Sequence, residues 1–239
     1  MKKKNKEHSK ILIWDLETTD LKASHGFIIC AAAKWFNEPK FALSMRIDET
    51  PGYGETPESY MYDAGIVRPL VELLNEADAS VAHYGERFDR RFLLTRALVH
   101  GIAPPAPTKL LDTWRYARNN LALQSNRLAS LCDIFQVKHK KYHLDTETIL
   151  LARYGHPKSL KLMQKYNEND VLGLEEVYRD IRPLINDHPN CSGVIGSCFA
   201  CGSTRLESRG HRLTKCFRIQ RFQCKECGTW NSGKQERIK

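Results

Sequence analysis

The sequence predicts an α/β fold: a mixed sheet flanked by helices, with a small cysteine-rich module appended at the C-terminal end. Three observations carry this. Three runs of β-formers precede the first helical pattern. A helix, a strand and then mostly helices follow them, as expected for helices packed on sheet faces. Five of the eight cysteines lie after Ser197. Taken in order, residues 1–9 form a basic tail beginning Met1-Lys-Lys-Lys-Asn-Lys6, which reads as disordered rather than as a signal peptide. Ile11–Trp14, Phe27–Phe36 and Phe41–Ile47 read as sequential antiparallel strands. Glu49–Pro57, with two prolines and two glycines, is a loop. Val67–Asn75 has helical apolar spacing at Val67, Leu70, Val71 and Leu74. Ala79–Tyr84 reads as a short strand, Glu86–His100 as a helix closed by Gly101, and Ala103–Pro107 as a proline-rich connector. Helices are then expected near Leu111–Asn119, Asn126–Phe135, Asp145–Tyr154, Ser159–Glu168 and Asp170–Ile185. The run Asn186-Asp-His-Pro-Asn190 breaks the pattern and sets the expected boundary, with one domain over 10–188 and a second over 189–239.

No run of ~18 apolar residues is present, so no membrane span or membrane partner is expected. Clustered cysteines argue against a disulfide lattice and for a local metal site in a reducing cytoplasm. The formal charge is +9, and residues 191–239 hold 10 Lys/Arg against 3 Asp/Glu. So uneven an excess suggests attraction to a polyanion, DNA or RNA.

Asp15 and Glu17 close the first apolar run. In a strand, i and i+2 point to one face, so the two carboxylates lie side by side. Adjacent anions repel unless a cation sits between them, and oxygen ligands suit a hard divalent ion. Asp89 follows a glycine turn in His83-Tyr-Gly-Glu-Arg-Phe-Asp89, in the first turn of a helix. Tyr166 and Asp170 stand four apart, on one helix face. Each of these has a simpler reading alone: a turn or cap acid, a helix N-terminal charge, a solvated position. Their order and spacing carry the weight.

Together, Asp-x-Glu-Thr at the first strand, His-x-Gly-x-x-Phe-Asp in the middle and Tyr-x-x-x-Asp on a late helix resemble the three motifs of the DEDDy 3′–5′ exonucleases. This is a branch of the RNase H-like (DnaQ-like) superfamily that includes polymerase proofreading domains. The similarity covers about residues 10–185, includes Leu111-Asp-Thr113, and over Tyr166–Leu184 is like phage and prophage enzymes, which implies the cytoplasm of a bacterial or phage-infected cell. The resemblance implies an RNase H-like sheet. It implies that Asp15, Glu17, Asp89 and Asp170 bind two Mg²⁺ or Mn²⁺ ions, that Tyr166 helps position the attacking water, and that Thr18 touches the terminal nucleotide. It departs at Tyr84, where relatives usually carry Asn, which puts substrate placement in question. Asp112 reads as a helix-start residue rather than a further ligand.

Cys198-Phe-Ala-Cys201 and Cys224-Lys-Glu-Cys227 are two C-x-x-C pairs, 22 residues apart, each followed by glycine. Four thiolates give the closed tetrahedral set of structural Zn²⁺, and two strand-like stretches between them complete a zinc ribbon. An Fe–S cluster or a redox dithiol fits less well, and Cys191 and Cys216 lie outside the set. Arg205, Arg209, Arg212, Lys215, Arg218, Arg221 and Lys225, with Phe217, Phe222 and Trp230 among them, suit a surface that grips phosphates and stacks on bases, although Phe222 reads as ribbon core. The ribbon would recruit nucleic acid, or a replication or repair protein. Lys138-His-Lys-Lys-Tyr-His143 reads equally as a substrate-backbone contact or a solvated loop.

The function expected is a metal-dependent 3′–5′ exonuclease that acts on single-stranded DNA and releases nucleoside 5′-monophosphates. Alternatives are a ribonuclease or endonuclease with the same metal site, or a silent nucleic-acid-binding adaptor.

Overall fold

The computed structural model describes residues 9–140 and 142–238. The basic tail, up to His8, lies outside the described residues, as does Lys141. Contacts divide the chain into Lys10–Tyr178 and a second unit that begins at Arg179 and also takes in Ser9.

In the first unit, β1 (Ile11–Thr18), β2 (Ile28–Trp35), β3 (Phe41–Arg46), β4 (Ala79–Ala82) and β5 (Lys109–Asp112) form one sheet in the order β3-β2-β1-β4-β5. The three leading strands are antiparallel, and β4 and β5 run parallel to β1. Central β1 buries Ile11, Leu12, Ile13 and Trp14 on both faces, as a continuous apolar run requires. Helices α1 (Ala64–Glu76), α2 (Asp89–Val99), α3 (Thr113–Asn120), α4 (Leu128–Ile134), α5 (Thr146–Arg153) and α6 (Pro157–Ile181) complete the chain through Ile181. This is the mixed sheet with flanking helices that the residues predict.

Two expectations are corrected. Leu111 and Asp112 belong to strand β5, and the helix begins at Thr113 with Asp112 as its cap. The strand is short, and the cap signal at its end hides it. The two late helices are one continuous α6. The polar run Asn167-Glu-Asn169 reads as a break because it lacks apolar spacing, yet its members are spent on tertiary hydrogen bonds. Asn167 donates to Asp15 at 2.7 Å, Ser44 on β3 donates to Glu168 at 2.5 Å, and Asn169 donates to the Lys140 carbonyl at 2.9 Å. Farther along, Glu175 pairs with buried Lys34 of β2 and accepts from the Asn37 N–H at 3.0 Å. These bonds fix the rotation of α6 against the sheet.

In the second unit, β6 (Leu206–Leu213), β7 (Phe217–Cys224) and β8 (Trp230–Arg237) form an antiparallel sheet. β8 was not expected, because Trp-Asn-Ser-Gly-Lys-Gln-Glu-Arg has no apolar alternation. Pairing with β7 creates it, and the Phe222 ring lies over Gly233, where an added Cβ would meet Cε2 at 2.5 Å. The core is small, centred on Cys198, Ala200 and Cys224. Among the described residues no helix is long and apolar enough to cross a membrane.

Candidate active site

The first acidic pair sits where β1 leaves the core. Trp14 and Leu16 are buried, while Asp15 and Glu17 are half-buried on the opposite face. Asp15 faces Ala32 and Glu17 faces Cys30 across the strand pair, and the register shifts between Glu17 and Thr18. Asp170 arrives from α6, buried to 3% exposure. Asp15, Glu17 and Asp170 each offer an oxygen within 4.8 Å of the others. The Asn167 amide, one turn before Asp170, holds Asp15 from the same helix.

Three carboxylates this close repel strongly unless a cation joins them. The field reaches the neighbouring strand: the Cys30 thiol is pushed well above its usual range, by burial first and then by the negative charges of Glu17 and Asp15. Convergent hard oxygens, two of them open to water, suit Mg²⁺ or Mn²⁺ rather than a soft metal.

The remaining expected residues are not members of this trio. Asp89 is buried at the first position of α2 but is not part of the 4.8 Å trio. Tyr166 sits one turn before Asp170, packed against the core with its ring edge-on to Tyr142 at 5.4 Å. The Thr18 hydroxyl donates to the Asp20 carbonyl at 2.8 Å. Asp112 is a structural clamp: it accepts from the N–H groups of Tyr84, Glu86, Trp114 and Arg115 at 2.9–3.3 Å. Tyr84 occupies a left-handed conformation, φ 65°, that Asn adopts far more readily than Tyr.

A cleft of about 590 Å³ opens beside Asp15, lined also by His83, Tyr84, Trp114, Arg127 and His143. Sequence reasoning passed over Trp114, Arg127 and Asn167, which carry no local motif. Tyr142 and His143 lie in the lysine- and histidine-rich segment it left open. The Tyr142 phenol is pushed up by burial and then by the charges of Asp170 and Glu168.

In the second unit, Cys198, Cys201, Cys224 and Cys227 bring their sulfurs within 4.8 Å of one another, with closest pairs at 3.6 Å. Zn–S bonds of ≈ 2.3 Å in a tetrahedron require S···S edges of about 3.8 Å, so the set fits. Gly202 and Gly228, at φ 74° and 72°, make the turns that point two sulfurs inward from each loop. The hydrogen bond from Cys198 pulls the Cys227 thiol down, while burial pushes Cys201 up. Asn231 and Thr229 approach Cys198 and Cys227 at 3.6 and 3.3 Å as outer partners.

Sheet order, helix placement and the acidic trio define an RNase H-like domain, followed in the chain by a four-cysteine ribbon. The comparisons agree: residues 12–182 match the RNase H superfamily, and the chain belongs to that family. Among solved structures it is similar to the family B DNA polymerase from the hyperthermophilic archaeon Pyrobaculum calidifontis, at 15% identity and a TM-score of 0.57, over 73% of this chain. The aligned region is 25% of that polymerase, and at this identity the likeness speaks for the fold alone. No curated protein matches the chain significantly.

Proposed function

We propose that the protein is a 3′–5′ exonuclease that removes nucleoside 5′-monophosphates from single-stranded DNA. The observation that carries this is the meeting of Asp15, Glu17 and Asp170, drawn from a strand and a helix far apart in sequence. In this reading the three carboxylates, with Asp89, hold two Mg²⁺ or Mn²⁺ ions. When bound, such ions make a water nucleophilic near neutral pH and offset charge on the departing 3′-oxygen.

The chain's own groups do the positioning. Asn167 keeps Asp15 turned toward Asp170. Tyr166, one turn from Asp170, orients the attacking water by a hydrogen bond from its hydroxyl. The cleft beside Asp15 receives the 3′-terminal nucleotide against Tyr84 and His143, and Thr18 meets it through its backbone.

Residues 10–188 serve as the catalytic domain and residues 189–239 as a zinc ribbon that recruits nucleic acid. Two features support the second assignment: exposed Arg209, Arg212 and Arg218 on its sheet, and the Arg221 guanidinium 5.3 Å from the half-exposed Trp230 ring.

End-labelled DNA and RNA oligonucleotides, linear and circular, incubated with Mg²⁺, Mn²⁺ or chelator, test the proposal. A ladder shrinking from the 3′ end of linear DNA is expected, abolished by chelation. Cutting of circles, faster loss of RNA or no cleavage would overturn the respective part.

A further inference from the structure

Beside the carboxylate cleft lies a second cavity of about 310 Å³, lined by Glu86, Arg87, Asp112, Trp114, Arg115 and Arg118 among others. The nuclease reading leaves it without a role. Its centre is Trp114, at the start of α3. Arg118, four residues on, reaches back along the same helix face with its guanidinium carbon 5.2 Å from the ring centroid. Arg87 reaches the same ring from the turn after β4, at 5.6 Å. Tyr84 stands edge-on to Trp114 at 4.9 Å and 78°.

The acids in this cavity do not neutralise those cations. Asp112 spends its carboxylate on four backbone N–H groups. Glu86 pairs with Arg115 at 3.3 Å. Arg87 and Arg118 are exposed and have no carboxylate partner among the described residues. The Asp112 clamp is also what joins the two halves, tying the turn that bears Tyr84 and Arg87 to the N-terminus of α3. The left-handed backbone at Tyr84 keeps its ring against Trp114.

Trp114 lines both this cavity and the cleft that contains Asp15, and Tyr84, in contact with it, lines the cleft. An aromatic ring flanked by unpaired guanidiniums suits a nucleotide whose base is free to stack, since bases stack on indoles and on guanidinium planes, and phosphates take the charges. We infer that Trp114, Arg87 and Arg118 form a second strand-binding subsite, which holds a nucleotide of a single strand next to the one in the carboxylate cleft. The inference rests on the nuclease reading for its direction, while its binding test stands apart from hydrolysis.

The test uses the full chain carrying Asp15→Asn, so that strands survive, without chelator, so that the ribbon keeps its metal. A fluorescein-labelled oligothymidylate is titrated by anisotropy at several salt concentrations. Adding Arg87→Gln and Arg118→Gln should weaken binding about tenfold or more and reduce the log–log salt slope by about 1.4, at ~0.7 per phosphate contact of a single strand. Strand binding should also quench tryptophan emission; in a Trp230→Phe background, Trp114→Phe should remove most of the remaining quenching while leaving the melting temperature within a few degrees. Wild-type affinity and slope in the arginine variant would overturn the inference. So would thymidine monophosphate binding as tightly as the strand, or duplex DNA showing the same arginine dependence. Hydrolysis by the unsubstituted chain is scored separately: a chain that binds in this way but does not cut refutes the nuclease reading and leaves the subsite standing.

Discussion

Asp15→Asn probes the acidic trio through two effects of opposite sign. The substituted amide keeps an oxygen to accept from Asn167, so local shape survives, but one of three charges is gone. At an effective dielectric of ~20, two charges at 4.8 Å repel by about 3.5 kcal/mol. Asp15 contributes two such pairs. The half-open site is screened by water, so on the order of 1–2 kcal/mol is recovered. For a chain of this size that raises the melting temperature by several degrees when no divalent ion is added. Added Mn²⁺ reverses the order. At a hundredfold excess over Kd the unsubstituted chain gains about 2.7 kcal/mol, and the variant, one ligand short, gains less. Cleavage should fall at least ~10³-fold, about 4 kcal/mol in the barrier. Differential scanning fluorimetry with and without Mn²⁺, beside a labelled-strand digest, reads both. A variant equally destabilised in both conditions, or one that cuts at the wild-type rate, refutes the reasoning.

Other expectations follow from the same structure. Cys227→Ser removes one of the four converging sulfurs; zinc content by colorimetric assay should fall below one per chain, and limited proteolysis should open the second unit while fragments of the first persist. Deleting residues 191–239 should weaken DNA binding and flatten its salt dependence, and an unchanged slope would count against a recruiting ribbon. Glu176 gives a pH signature. Burial alone would push its carboxyl up, yet hydrogen bonds from His139 and the Lys138 N–H, the latter at 2.7 Å, hold it below its usual value. A depressed carboxyl stabilises above its unfolded pKa, near 4.3, and that contribution is lost as pH falls through the folded value. Urea midpoints measured from pH 6 to 3 should therefore fall less steeply in Glu176→Gln. Gly85→Ala would place a Cβ 2.5 Å from that of Ala82, so it should cost about 1–3 kcal/mol and, by shifting the turn before Asp89, slow cleavage as well.

The most legible features were those written in short spacings. Two residues along a strand set Asp15 beside Glu17, and four along a helix set Tyr166 beneath Asp170. Paired C-x-x-C loops with following glycines announced the sulfur cluster. Strands β1 and β2 were legible because Ile, Leu, Ala and Trp side chains, most of them buried on both faces, leave long apolar runs. β5 and β8 were not: one is four residues long and ends in a helix cap, and the other is a polar segment held chiefly by backbone pairing. The continuity of α6 was hidden for a related reason. Its polar residues are satisfied by β1, β3 and the Lys140 carbonyl, and no local pattern records partners 29 to 152 residues away.

By itself, then, the amino-acid order determined which groups could bind a metal and where most strands and helices would form, because those depend on neighbours within a few residues. Only the tertiary structure decided that Asp170 meets Asp15 and Glu17 while Asp89 stays outside their trio, and that Arg87 and Arg118 converge on Trp114. Such meetings depend on how α6 is rotated against the sheet and on one buried carboxylate, Asp112, binding two turns together. Both are set by packing and by long-range hydrogen bonds summed over the whole core.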